Sequence, residues 1–291
     1  MDPPSVQRRP SPSGVVRVPG ATLGYRIEGS GLPTLVLGSS VYYPRTFAAD
    51  LRAKLRMAFV DQRHFAQNAD AAAGDPLETY LTDIEALRAA IGFERMALIG
   101  HSHHGNLALE YAKRYPQRVT HLVLIGATPV GVADTLAAGV AYWAAHASAD
   151  RRAALQRNWA RLTPAALGRM SAAAGFVAGY VADGPKYWYD PAYDASGLWQ
   201  DVPIATQALP GFRALFVDYV MRWNPGELRA PVLVVAGRHD YVVPPTLWDA
   251  ARPTLPPHTY HLFERSGHTP QLEESACFDR LLGTWLRTGS G

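Results

Sequence analysis

An apolar run at residues 96–99 breaks at Gly100-His101-Ser102-His103-His104-Gly105, and a helical pattern takes over at 106–115. Strand, tight turn and helix in that order are the building unit of a mostly parallel sheet with helices on both faces. A serine on such a turn has its hydroxyl pushed clear of the backbone, beside a helix N-terminus that favours negative charge. That is how a chain displays a nucleophile. The same residues can also serve as a Ser/Gly turn that caps the helix, so the rest of the chain has to decide between the two uses.

The strand–helix rhythm extends well beyond this point. Residues 15–18 and 22–27 read as a first hairpin, and 34–37, 57–60, 96–99 and 119–125 as core strands of continuous apolar type. Helices are predicted at 47–55, at 77–91 from the steps Leu77, Leu81, Ile84, Leu87 and Ile91, and at 106–115. The rhythm stops at 129–224, where helix-like runs carry no strand between them. It resumes with strands at 231–236 and 258–263 and helices at 246–251 and 270–287. The predicted organisation is a loose tail at 1–14, an α/β core at 15–128 and 225–288, and a helical insertion at 129–224.

Composition narrows the classes. Of 291 residues 48% are hydrophobic and 18% charged, enough for a large core and against disorder. The net charge is +3 with only three lysines (Lys54, Lys113, Lys186) and scattered arginines, so no basic stripe offers itself to nucleic acid. No run of 18 apolar residues is present to span a membrane. Cys277 is the single cysteine, which excludes an intramolecular disulfide and fits a reducing cytoplasm; it is expected as a small core or half-buried residue. No dinucleotide or phosphate-loop glycine pattern calls for a cofactor. The expected partner is a small-molecule substrate; a homo-oligomer is left open.

A serine hydroxyl is a poor nucleophile at neutral pH and needs a base, which in turn needs an orienting group. Two segments supply candidates. His268 lies in Ser266-Gly267-His268-Thr269-Pro270, after the strand at 258–263, and Asp240 lies in Gly237-Arg238-His239-Asp240, after the strand at 231–236. Each could be an ordinary loop residue, Asp240 as a turn or helix cap. Yet Ser102, Asp240 and His268 all follow strand ends, where sheets of this kind bind ligands. The chemistry also needs oxyanion donors. The N–H of His103 is one candidate; the turn Gly38-Ser39-Ser40 offers the second, with Ser40 expected and Val41 as fallback. The histidines around Ser102 lack the spaced carboxylates of a metal site, so no metal is expected.

On these motifs the chain resembles the α/β-hydrolase fold superfamily from about residue 15 to 287. The matching pieces are Gly100-His101-Ser102, Asp61-Gln62-Arg63 after the fourth strand, Gly237-Arg238-His239-Asp240-Tyr241-Val242-Val243-Pro244, and Ser266-Gly267-His268. The resemblance implies an α/β-hydrolase fold with an inserted cap, Ser102 as nucleophile, Asp240 as acid and His268 as base. A serine at the nucleophile position argues against epoxide hydrolase and dehalogenase chemistry, which uses aspartate there. The chain departs from the family pattern twice. The usual small residue two places after the nucleophile is His104, and the usual His-Gly pair after the third strand is Gly38-Ser39. Both changes border the oxyanion site, and His104 reads as a substrate contact or a packed structural histidine.

The insertion holds 14 of the chain's 30 aromatic residues (7 Trp, 14 Tyr, 9 Phe). Many must build a core of its own; the remainder would line an apolar pocket over the serine. Trp143, Tyr187, Trp188 and Tyr189 are candidates there, with Ser39, Val41, Tyr42, Tyr43 and His104 on the core side. The resulting expectation is a serine hydrolase acting on an ester, lactone or thioester with an apolar, aromatic or cyclic part. Its alternatives are a cofactor-free lyase, cyclase or proton-transfer reaction with His268 as base, a proline-type aminopeptidase, and a non-catalytic ligand-binding module.

Overall fold

The computed structural model describes residues 12–70 and 77–288. Among them nine strands form one sheet: β1 (Ser13–Val18), β2 (Ala21–Glu28), β3 (Pro33–Gly38), β4 (Arg56–Asp61), β5 (Asn68–Ala69), β6 (Met96–His101), β7 (Val119–Ile125), β8 (Val232–Gly237) and β9 (Thr259–Phe263). The order is β1-β2-β4-β3-β6-β7-β8-β9, with β5 on the side of β2. β1, β2 and β5 are antiparallel additions to one edge, and all pairs from β4 to β9 are parallel. Most of the expected tail, 1–11, lies outside the described residues. Ser13 and Gly14 depart from that expectation, because they already pair with Arg26 and Tyr25 in the first hairpin.

The parallel strands are buried on both faces, as their unbroken apolar runs require. Leu35, Leu37, Leu98, Leu122, Leu124, Val232 and Val234 share one layer with α2 (Leu77–Ile91), α3 (His103–Arg114) and Trp248. Val36, Ile99, Val123, Ile125, Leu233 and Val235 face the other, against α1 (Ala49–Lys54) and residues Phe278, Leu282 and Trp285 near the C-terminus. Each fully buried aliphatic side chain is worth roughly 1.5–3 kcal/mol. This alternation holds the strand ends in register, so the loops after β3, β6, β8 and β9 gather at one edge.

Between β7 and β8 come α4 (Val132–His146), α5 (Ala149–Ala160), α6 (Pro164–Leu167), α7 (Ala172–Ala182), α8 (Gly184–Tyr187) and α9 (Leu209–Ala214). The aromatics here do not form one separate core. Phe212, Phe216 and Trp223 join the α2–α3 layer, while Trp188, Leu198 and Trp199 join the opposite one. After β8 follow α10 (Pro245–Ala251), α11 (Pro270–Glu273) and α12 (Ser275–Thr288). The helix expected at 270–287 is thus broken at Glu274 (φ −123°, ψ 47°). Cys277 is exposed on α12, contrary to the expected burial, because Phe278, Leu282 and Trp285 take the inward face. Among the described residues no helix is long and apolar enough to cross a membrane.

Candidate active site

β6 ends at His101, and Ser102 turns the chain into α3 with φ 55° and ψ −135°. A non-glycine residue in that region carries roughly 1–3 kcal/mol of strain. Two bonds hold it there: Ser102 N–H donates to the Ile125 carbonyl (2.8 Å), and Gly105 N–H donates to the Ser102 carbonyl (2.8 Å). The turn is closed so tightly that a Cβ on Gly100 would lie 2.2 Å from the His104 carbonyl oxygen, and one on Gly105 would lie 2.7 Å from the Ala127 Cβ. Ser102 occupies the cap position of α3, but its side chain makes no capping bond. The capping use of this turn is therefore not the one adopted, and the hydroxyl makes no hydrogen bond to another described residue.

Asp240 and His268 meet below this turn. The His268 Nδ1–Asp240 Oδ2 distance is 2.6 Å, and both side chains are almost fully buried. Asp240 Oδ1 accepts from the N–H groups of Val242 and Val243, each at 2.8 Å. These donors fix the carboxylate, which makes Nδ1 of His268 the protonated nitrogen and leaves Nε2 a free acceptor. His268 N–H donates to the Tyr187 carbonyl (2.6 Å), and the His268 carbonyl accepts from His101 Nε2 (2.8 Å). Glu273 Oε1 accepts from Gly267 and Thr269 N–H on either side of His268, at 3.0 and 3.1 Å.

The turn after β3 departs from expectation. Ser40 N–H donates to Asp61 Oδ1 at 2.6 Å, and Gly24 N–H to Asp61 Oδ2 at 3.0 Å. Val41 and Tyr42 N–H both donate to Ser39 Oγ, at 3.2 and 3.1 Å. Ser40 and its fallback Val41 are thus both engaged. The Ser39 N–H, like the His103 N–H at the open start of α3, has no hydrogen-bond partner among the described residues. Gly38 makes the turn possible: its φ is +133°, and a Cβ there would lie 2.1 Å from the Tyr43 ring. Burial of Asp61 raises its carboxyl from the ordinary 3.8 to about 6, against the opposing pull of the Ser40 and Gly24 donors.

Of the histidines around Ser102, His101 and His104 are buried and His103 is half-buried, and beside them stands one buried residue that sequence reasoning missed, His64. Burial lowers His64 and His101 to about 3 and His103 to about 4, and holds His104 well below the ordinary range. All four are neutral at neutral pH. His104 is packed rather than open, its ring 5.2 Å from that of Phe212. His103 stacks on Phe216 at 5.1 Å. The signal for His64 was its place directly after Asp61-Gln62-Arg63.

The expected pocket residues separate. Tyr187 lies 5.5 Å from the His268 ring and, with Trp143, Leu136 and Tyr241, lines a cavity of about 230 Å³. Tyr42 and Tyr43 are buried under the site, Tyr42 against Trp199 at 4.6 Å. Trp188 is 1% exposed and packs on Tyr193, so it serves the core instead of a pocket. Tyr189 points outward, against His239 (4.9 Å) and the Arg265 guanidinium (5.7 Å). Tyr187 ends α8 and Trp188 is its extended cap, so the backbone changes direction between these residues and the three consecutive aromatics face three ways.

Residues 30–275 match the family model described as the alpha/beta hydrolase fold. The chain is 34% identical over 281 residues to the AB hydrolase superfamily protein YclE of Bacillus subtilis, covering 94% of this chain and 98% of that protein. It is 26% identical over 224 residues to a 2-hydroxy-6-oxo-2,4-heptadienoate hydrolase of Pseudomonas putida, covering 72% and 70%. An alpha/beta fold family hydrolase from Bacillus anthracis superposes with a TM-score of 0.69 at 19% identity, over 94% of this chain and 98% of that one.

Proposed function

We propose that this chain, which belongs to the α/β-hydrolase fold family, is a serine hydrolase that cleaves a carboxylic ester, lactone or thioester through an acyl-enzyme. The observation that carries the reading is the Asp240–His268 pair at 2.6 Å, whose carboxylate is fixed by two amides. The residue before the serine, His101, has its ring 4.6 Å from that of His268, and Ser102 itself is held at φ 55° with its hydroxyl uncommitted. His268 Nε2 takes the Ser102 proton as Oγ bonds to the substrate carbonyl carbon. The negative oxygen faces the N–H of His103 and that of Ser39, in place of the expected Ser40. Each such donor is worth about 3 kcal/mol in the transition state. His268 passes its proton to the leaving group, then takes one from water, whose oxygen releases the acyl group and restores Ser102. The Tyr187–Trp143 cavity, mostly apolar with Asp183 and Lys186 at its wall, reaches the site through Tyr187, which packs on His268, and supports an apolar or cyclic substrate part. The insertion acts as the cap over it.

A fluorophosphonate probe read by peptide mass spectrometry tests this. A single adduct on Ser102 is expected, lost in Ser102→Ala and strongly slowed in His268→Ala; a folded wild type that takes up no probe would sink the reading. A second reading keeps His268 as base but makes the reaction a proton transfer without an acyl-enzyme. In its favour, the Ser40 N–H, the donor expected in the turn after β3, is taken by Asp61. It predicts turnover that survives Ser102→Ala. The name of the Pseudomonas relative suggests unsaturated oxo acids for the first substrate screen, beside short esters.

A further inference from the structure

Tyr43 stands between the two histidines that flank the nucleophile. Its Oη is 3.2 Å from His101 Nδ1 and 3.2 Å from His104 Nδ1. His101 Nε2 is 2.8 Å from the His268 carbonyl oxygen, and His104 Nε2 is 3.1 Å from His64 Nε2. Four hydrogen bonds therefore connect five groups in single file, from His64 to the backbone of His268.

The chemistry of the last acceptor fixes the direction of the whole file. A carbonyl oxygen can only accept, so His101 carries its proton on Nε2 and is bare at Nδ1. Among the described residues the only donor within reach of that nitrogen is the Tyr43 hydroxyl. With its proton spent there, Tyr43 Oη must accept from His104, which is then protonated at Nδ1 and bare at Nε2. His64 accordingly donates from Nε2 and keeps a bare Nδ1. His64 Nδ1 is indeed the ring nitrogen of the file that is buried without a partner. All three rings are neutral, so each has one proton to give and one lone pair to fill.

We infer that Tyr43 is a positioning residue: its hydroxyl joins His64, His104 and His101 into a one-way relay that holds the His268 loop against the nucleophile turn. The inference rests on the reading of Ser102 and His268 as nucleophile and base. It accounts for the departure from the family pattern at His104, which no longer needs a substrate to justify a polar ring in the core. It also ties the base to the turn after β3, because the Tyr43 ring lies against Gly38.

Nitrogen-15 NMR of histidine-labelled wild-type protein tests the relay without any variant. Nε2 is expected to carry the proton in His101 and His64, and Nδ1 in His104. The opposite tautomer at His101 or His104 would overturn the proposal, whatever the activity. Tyr43→Phe then keeps the ring and removes the file's centre. Small misplacements of catalytic groups cost up to about 100-fold, so labelling of Ser102 by the probe is expected to slow about 10- to 100-fold. The loss falls on kcat with KM little changed, and the deshielded proton of the His268–Asp240 bond shifts. Labelling and proton resonance both at wild-type values in Tyr43→Phe would equally overturn it. If the wild type takes up no probe while the tautomers are as stated, the hydrolase reading fails, and the proton shift alone decides the relay.

Discussion

Asp240 shows how much a single side chain has to satisfy at once. Its Oδ1 takes two amide protons and its Oδ2 takes the imidazole proton, so all the donors that face it demand an oxygen. In Asp240→Asn the amides of Val242 and Val243 keep the one remaining oxygen, and the NH2 group is turned on His268 Nδ1. The imidazole must then carry its proton on Nε2, where it cannot accept from Ser102. We expect a fall in kcat of about 10⁴-fold, the size known for this substitution in serine proteases, with the fold intact. Steady-state kinetics and a thermal melt on the same preparation check both halves. That Ser102, Asp240 and His268 stand in turns beyond strand ends was legible in sequence, because each turn carries a glycine after an apolar run. Ser40 was misjudged for a reason equally physical: sequence shows which amides a turn contains, not which are already taken. Asp61, 21 residues away, takes this one. His64 was missed for the same cause despite its place directly after Asp61-Gln62-Arg63, since its partner His104 is 40 positions on.

The turn between β3 and α1 is the element in which stability and the site are most directly coupled. Asp61 anchors it to β2 through Gly24 and to its own first residues through Ser40. Burial raises the Asp61 carboxyl to about 6 from 3.8, so the folded protein holds this proton more tightly than the unfolded chain does. The sign follows. The contribution is fully present below pH 3.8, is lost as pH rises through about 6, and amounts to about 3 kcal/mol. Asp61→Asn removes the titration. The stability of the wild type relative to this variant is expected to fall by about 2 kcal/mol between pH 4 and pH 7, most of that amount. Urea titrations of both proteins at stepped pH measure it; a constant difference across the range would show that Asp61 keeps an ordinary pKa. Elements with a strong period were legible here. The two-residue β5 was not, since two residues carry no period. Nor was the break at Glu274, because the apolar pattern of α12 continues through it while Glu273 and Glu274 turn back onto the His268 loop.

At the scale of the molecule the question is how an insertion of nearly a hundred residues stays registered on the sheet. Its aromatic density was legible, but the direction of each ring was not: most of the buried rings went into the two existing layers, while Tyr142 and Trp143 form a small third cluster with Tyr241. Polar contacts fasten it at several points, among them Arg45 to the Leu198 and Gln200 carbonyls and Tyr142 to the Arg238 carbonyl, and the ones nearest the site come from residues 185–189. Tyr241 N–H donates to the Lys186 carbonyl (3.0 Å), beside the acid; His268 N–H donates to the Tyr187 carbonyl, at the base; and Tyr189 N–H donates to Glu273 Oε2 at 2.6 Å. Behind this segment sits Arg151 of α5, 5% exposed, whose guanidinium donates to the carbonyls of Pro185, Trp188 and Tyr189 at 2.6, 2.7 and 2.5 Å. A buried cation bonded only to backbone makes the path of the segment independent of its side chains. Arg151→Met fills much of the volume but leaves three carbonyls short of a donor, at about 1–3 kcal/mol for each that water cannot reach. We expect a loss of about 3 kcal/mol in urea unfolding, within that range. New protease cleavage is expected inside 183–194, and labelling of Ser102 by the fluorophosphonate probe should slow, because the Tyr187 carbonyl that holds His268 moves with the segment. Cleavage without any change in labelling would mean that the base is held by the sheet alone, and that the insertion rides over a site it does not help to build.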